Sequence, residues 1–330
     1  MNIVMRAVER RSFLCLVAGA VALPGIPAVA WAQTYPTQPV RIVVGFAVGS
    51  ALDLTARIIA QWLSERLGQS VFVENRPGAG GNLGTEIVVR APADGYTLLL
   101  VSSTNAISAT LFKKLNFDFL RDIAPITSIV RAYQVIIVNP SRPYKTIAEL
   151  ISYAHDNPGK ITMASAGAGS VSHLSGEIFK KMTGVSMVHV PYPGGANMIT
   201  DLIGGQVDVA FNAMSASIEH IKSGRLRVLG VTAATRVEAL PDVPTVGEFV
   251  PGYEVSTWNG LGAPKGTPAA VVEKLAEEIS RAVADPKVKA RLADLGYSMF
   301  PSSPVDFGRL CAADVEKWGN VISSAHIKPE

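Results

Sequence analysis

From about residue 33 onward, short runs of β-branched and aliphatic residues alternate with amphipathic stretches, separated by glycine-rich punctuation. No other feature constrains the fold as strongly. Strands spaced by helix-length segments are joined by crossover helices, so the chain reads as α/β. Strand-type runs fall at 40–46, 71–74, 97–101, 134–138, 161–165, 187–190, 207–211 and 226–231. Residues 52–67 carry Ile58, Ile59, Trp62, Leu63 and Leu67 at helical spacing before Gly68, which predicts a helix with a glycine stop. Thr146-Ile147-Ala148-Glu149 has the form of a capping box, and the helix through Met198 stops at Gly204-Gly205. Beyond residue 240 prolines break the pattern; 268–284, 286–295 and 305–325 then read as helices, with one strand at 257–263. A segment holding one strand completes an earlier sheet. The expectation is two α/β lobes, each a mostly parallel sheet flanked by helices: 33–131 with 257–330 as lobe 1, and 132–256 as lobe 2.

Residues 1–32 stand apart. Arg6, Arg10 and Arg11 precede an apolar run over 13–29 and small residues at Ala30-Trp31-Ala32, the pattern of a cleaved export signal. Gly19, Pro24, Gly25 and Pro27 interrupt the run and argue against a retained anchor. Arg10-Arg11-Ser12-Phe13-Leu14 also fits a twin-arginine signal. The mature chain is expected to start at Gln33, in the periplasm. Cys15 leaves with the leader, and Cys311 is expected to be an inert cysteine on the last helix. At 48% hydrophobic and a net charge of +3, the chain is not of the disordered class. Thirty Lys+Arg against 27 Asp+Glu give no basic excess, and no aromatic-basic cluster offers a stacking platform, which excludes nucleic acid as a partner.

Four strand-to-helix loops join glycine with small polar residues, where backbone N–H groups and a helix N-terminus can receive an anion. The first is Phe46-Ala47-Val48-Gly49-Ser50-Ala51-Leu52-Asp53, and the second Ser102-Ser103-Thr104-Asn105. The third, Ser165-Ala166-Gly167-Ala168-Gly169-Ser170-Val171-Ser172-His173, is richest in hydroxyls; the fourth is Tyr192-Pro193-Gly194-Gly195-Ala196-Asn197. In an open α/β sheet such loops gather at the carboxyl ends of the strands. Ser50, Ser103, Ser165 and Ser170 are expected to supply hydroxyls to a ligand, and Gly49, Gly167 and Gly169 their amides. Capping is the simplest role for Asp53, and holding the third loop in place the simplest for His173.

Gly167-Ala168-Gly169-Ser170-Val171-Ser172 has serine where a dinucleotide fingerprint needs its last glycine, and no carboxylate follows the next strand, so no cofactor is expected. Gly78-Ala79-Gly80-Gly81-Asn82-Leu83-Gly84 reads as a turn that brings a helix close to the sheet. His155, His173, His189, His220 and His326 are scattered, with no metal-site clustering. No Gly-x-Ser-x-Gly elbow, His-Glu-x-x-His pair or P-loop occurs. A binding module is the first reading. The alternative is an exported hydrolase or transferase using Ser170 and His173, which needs a third group to orient the histidine.

From Tyr35 to Glu330 the chain resembles the Bug-type substrate-binding proteins of tripartite tricarboxylate transporters. The resemblance lies in Val73-Glu74-Asn75-Arg76-Pro77-Gly78-Ala79-Gly80-Gly81-Asn82, Asp94-Gly95-Tyr96-Thr97-Leu98-Leu99, Val188-His189-Val190-Pro191-Tyr192 and Leu240-Pro241-Asp242-Val243-Pro244-Thr245. It implies a periplasmic, monomeric clamshell that closes on a small organic acid and delivers it to membrane transporter subunits, or informs a sensor protein. It also implies that loops 46–53 and 165–173 hold the ligand's carboxyl group, with Tyr192, Gly194 and Gly195 on the far lobe. The first loop departs from the family's usual Phe-Pro-x-Gly-Gly-x-x-Asp at Ala47, Ser50 and Leu52, and Asn212 stands where an aspartate is often found. Those changes alter which amides point inward and remove one negative charge, which an anionic ligand tolerates.

Overall fold

The computed structural model describes residues 35–112, 114–325 and 327. The leader assigned to 1–32 lies outside them, as do Cys15, Gln33 and His326. The described strands are β1 (Val40–Val44), β2 (Val71–Asn75), β3 (Thr97–Ser102), β4 (Ile123–Val138), β5 (Ile161–Ser165), β6 (Met187–Pro191), β7 (Val209–Ala213), β8 (Arg227–Val231), β9 (Ser256–Pro264) and β10 (Ser298–Met299). Their hydrogen-bonded order is β2-β1-β3-β9-β4-β7-β5-β6, with β8 and β10 also pairing to β4.

β1 pairs in parallel with β2 and β3, and β5 does so with β6 and β7. β9 is antiparallel to β3 and β4, and β4 is antiparallel to β7 and β8. Two parallel groups, each with its helices, are thus joined through antiparallel strands in the middle. This is the α/β, two-lobed architecture that the sequence pattern implies. β3 lies between β1 and β9 and is buried at every residue, which explains its unbroken apolar run.

β4 is where the sequence pattern fell short. Only 134–138 read as a strand, yet β4 begins at Ile123. Pro125, Thr127, Ser128 and Arg131 interrupt its apolar run, and its register against β9 shifts between Pro125 and Thr127 and again between Ser128 and Val130. Bulges of this kind bend a strand. One that leaves one sheet for another keeps no single buried face, so no period of two survives in its sequence. The two-residue β10, against Val130 and Arg131, was likewise not foreseen.

The helix ends are locally determined. Ser50 caps Ala51–Leu67, which stops at Gly68 in the left-handed region (φ 69°). Ser170 and Gly184 bound Val171–Thr183 in the same way. Thr146 Oγ1 accepts the Glu149 amide as expected, but Glu149 Oε2 takes the Lys145 amide, 2.6 Å away, one residue upstream of the capping-box position. The glycine-rich turn has the structural role its sequence suggested. A Cβ on Gly84 would lie 2.9 Å from Gly45 Cα, and one on Gly45 would lie 2.7 Å from Gly81 Cα, so only glycine lets the Asn82–Val89 helix press on the end of β1.

One apolar cluster runs through both groups of strands, from Leu99 and Phe307 to Val209 and Phe179. The helix Pro304–Ser324 is tied into it, with Trp258 Nε1 on β9 donating to Asp314 Oδ2 at 2.6 Å. Cys311 on that helix is buried, and burial followed by the Asp314 charge pushes its thiol up to about 12, as an inert cysteine requires. No helix among the described residues is long and apolar enough to cross a membrane.

Candidate ligand-binding site

The ladder register brings the carboxyl ends of the strands together. Ser102, at the end of β3, stands opposite Asn259 of β9, and Asn259 opposite Val130 of β4. Ala213, at the end of β7, stands opposite Gln134 of β4. At about 3.3 Å per residue, Val130 and Gln134 are about 13 Å apart along one strand. The carboxyl edges of both parallel groups therefore face the same short stretch of β4. The four loops singled out in the sequence leave β1, β3, β5 and β6 at those edges.

In the first loop, Ser50 Oγ accepts the Asp53 amide and Asp53 Oδ2 accepts the Gly49 amide at 2.9 Å. Asp53 is only 1% exposed and also binds Arg57 Nε at 3.0 Å and Asn75 Nδ2 at 2.9 Å. Asn75 Nδ2 lies 3.0 Å from the Phe46 carbonyl as well, so a side chain from β2 fixes both ends of the loop. Burial alone would raise the Asp53 carboxyl. Hydrogen bonds from Arg57, Gly49 and Asn75, with the Arg57 charge, outweigh it and hold the group below its ordinary value. Val48 stands out at 71% exposure.

Ser102 caps Ser103–Leu111, and its amide donates to Asn105 Oδ1 at 2.8 Å; Asn105 Nδ2 then reaches Thr85 Oγ1. Asn105 is thus a brace, with Thr104 partly exposed beside the buried Ser103. In the fourth loop the Tyr192 amide donates to Ser165 O, joining it to the third, and Tyr192 Oη donates to Asp201 Oδ2 at 2.8 Å. Gly194, with φ 104°, precedes a helix, Gly195–Ile203, that has no side-chain cap. Asn212 is buried at the end of β7, donates to Ser217 Oγ and lies 3.3 Å from where a Cβ on Gly195 would stand.

The third loop is the most densely bonded. Ser170 Oγ donates to Gly167 O at 2.6 Å and lies 2.9 Å from Ser172 Oγ, which accepts the Ala166 amide at 2.8 Å. Gly167 N–H turns back to Ser165 Oγ at 3.3 Å, and Gly169 N–H donates to His173 Nδ1 at 3.1 Å. The hydrogen-bond network therefore assigns His173 as the Nε2–H tautomer when neutral. Its Nε2 lies 3.6 Å from Glu177 Oε1, and Lys180 Nζ donates to the same oxygen at 2.7 Å. Burial would raise Glu177, but His173 and Lys180 hold it down. His189 stacks on His173, and its Nε2 lies 2.7 Å from Ser165 Oγ.

The amides of Gly49, Gly167 and Gly169, and the Ser50 and Ser170 hydroxyls, were expected to face a ligand; here they are engaged within their own loops. Tight turns need those bonds to close. Among the described residues, the loop amides left without a protein acceptor include those at the starts of the helices: Ala51 and Leu52, Ser103 and Thr104, Val171 and Ser172, and Gly195, Ala196 and Asn197. Within loops 46–53, 102–105, 165–173 and 192–197 the sole carboxylate is Asp53, already paired with Arg57, and there is no lysine or arginine. The donor field is made of amides and hydroxyls. No cluster of three metal-ligating side chains occurs among the described residues. Asn75, Arg57, Thr85, Glu177 and His189 were missed by sequence reasoning. Of these, Arg57 at i+4 from Asp53 and Glu177 at i+4 from His173 carried a local signal, each on one helix with its partner.

Two α/β lobes sharing an edge of amide-bearing loops define a protein of the binding-protein class. Residues 55–327 match the model of the tripartite tricarboxylate transporter family receptor. Protein BugT of Bordetella pertussis is 33% identical over 311 residues, covering 93% of this chain and 95% of BugT. An R. palustris protein solved with adipate superposes with a TM-score of 0.75 at 35% identity, covering 90% of this chain and all of that one. MatC from Rhodopseudomonas palustris with bound malate gives 0.71 at 32% identity, covering 87% of this chain and all of MatC. The chain belongs to the tripartite tricarboxylate transporter receptor family.

Proposed function

We propose that the protein is a periplasmic solute receptor that captures a small carboxylate by lobe closure and passes it intact to the membrane subunits of a tripartite tricarboxylate transporter. The observation that carries this reading is the convergence of four amide-rich loops, without a lysine or arginine, on residues 130–134 of β4. Helix-start amides oriented on one cleft stabilise a carboxylate through fixed dipoles, without a cationic side chain. Adipate and malate in two related structures support a dicarboxylate as the ligand class. The arginines and apolar run of the leader, with the family's periplasmic members, support export.

The lobes are residues 33–131 with 257–330, and 132–256. The ladder supports these boundaries, since Ala132 pairs with Thr257 and Tyr133 with Ser256, so the chain crosses twice on neighbouring, hydrogen-bonded strands. Paired crossings make a hinge that bends without losing register. The ligand favours the closed form only through the contacts it gains there. Ala51, Leu52, Val171 and Ser172 amides grip one carboxyl group, with the Gly195–Ile203 helix start facing them from the fourth loop.

The hydrolase reading is opposed by the geometry of its own pair. Ser170 Oγ donates to Gly167 O and His173 Nδ1 is occupied by the Gly169 amide, so serine and imidazole do not form a nucleophile–base bond. Ser165 Oγ does meet a histidine, His189, but Ser165 is fully buried.

Thermal unfolding against a panel of C4 to C6 mono- and dicarboxylates tests the proposal. A true ligand at one hundred times its dissociation constant adds about 2.7 kcal/mol, a rise of about 5 °C or more in Tm. Mass spectrometry afterwards must return the same compound. A chemically altered compound would overturn the receptor reading, as would the absence of any saturable shift across the panel.

A further inference from the structure

His189, on β6, takes no part in the mechanism above. Its ring lies flat on that of His173, centroids 3.7 Å apart and planes 4° from parallel. Between them the two rings hold both arms of the third loop. His189 does so through Ser165 Oγ, which also lies 3.1 Å from Gly167 O and 3.3 Å from Gly167 N. His173 does so by accepting the Gly169 amide.

We infer that His189 is a positioning residue which, stacked on His173, locks loop 165–170 in its ligand-receiving shape, and that the lock holds only while both rings are neutral. The inference rests on reading that loop as part of the ligand site. Its ground is proton chemistry. Nδ1 of His173 accepts the Gly169 amide only when it carries no proton; a protonated ring would set two donors against each other and break the bond. Two imidazolium rings stacked at this distance also repel one another.

The groups facing the pair are Ser165 from β5, and Glu177 and Lys180 from the Val171–Thr183 helix. Glu177 is the counter-charge on hand, and Lys180 Nζ already donates to the Oε1 that faces His173. Burial, then the His173 ring, push His189 from 6.5 down to about 4, with Glu177 opposing and Lys180 adding. A histidine with a depressed folded pKa contributes fully above its unfolded value. Its contribution drains away as pH falls from 6.5 toward about 4.

Amide hydrogen exchange on the ligand-free full chain tests the lock, read as protection factors so that intrinsic pH dependence cancels. Between about pH 7 and about pH 3.5, a range that crosses the value to which His189 is pushed, protection at Gly167 and Gly169 is expected to fall about tenfold or more, while amides of β3 hold theirs. In His173→Asn, whose Oδ1 can still accept the Gly169 amide, the fall should shrink to about twofold or less. Flat protection at Gly169 in the wild type would overturn the inference, whether or not the variant folds. Calorimetry with malate and adipate on the same samples separates the two readings. If an acid binds while Gly169 protection stays flat, the lock fails and the receptor stands. If protection falls as expected but neither acid binds at neutral pH, the ligand assignment fails and the lock remains a property of the loop.

Discussion

Asp53 is almost wholly buried yet charged, and the first loop depends on it. One carboxylate gathers the Gly49 amide, Arg57 and Asn75 into a single knot. Such a group is worth its bonds only while ionised, because its partners are donors. Asp53→Asn preserves the outline and removes the charge, and the expected cost at pH 7 is about 1.5–3 kcal/mol, read from the denaturant midpoint. Its folded pKa lies below the ordinary 3.8, so this contribution is complete above 3.8 and is lost as pH falls through the folded value. The gap between variant and wild type should therefore close in strong acid. An unchanged midpoint at pH 7 would mean that the knot is incidental. Ser50 caps the helix instead of reaching outward.

The strand-to-helix loops were legible because their makers are local: serine at a cap, glycine at a positive φ, and an apolar run on each side. The β1, β3, β5 and β6 loops were all recognisable for that reason, and so was the holding role of His173. The braces were not. Asn75 reaches Asp53 across 22 positions of sequence and His189 reaches Ser165 across 24, distances at which no periodicity speaks. The first half of β4 was hidden because a strand serving two sheets shows neither a clean alternation nor a continuous apolar run. Glycine conformation gives the test at this scale. Gly167 has φ 126°, a region closed to β-branched residues, and its loop is proposed to bind. Gly167→Val should weaken acid binding about tenfold or more in calorimetry, while Cys311→Ala, a change inside the core, should leave it within about twofold. Equal losses would put the ligand elsewhere.

Two antiparallel strands organise the molecule as a whole: β9 pairs with β3 and β4, and β4 runs on to pair with β7 and β8. The bulges in β4 lie just before the crossing, at 125–130, and the last helix is bonded to β9 through Trp258 and Asp314. A receptor of this design gains affinity from preorganised amides and specificity from what closure places against the far end of the acid. Its central claim is that an intact acid sits where the carboxyl edges of the two strand groups meet, and the most direct test is a crystal structure of the protein with an acid selected from the panel. The predicted result is unaltered ligand facing residues 130–134 of β4, a carboxyl group within hydrogen-bonding distance of the Ala51, Leu52, Val171 and Ser172 amides. Density for the acid outside the four loops, or for a chemically changed compound within them, would contradict the account.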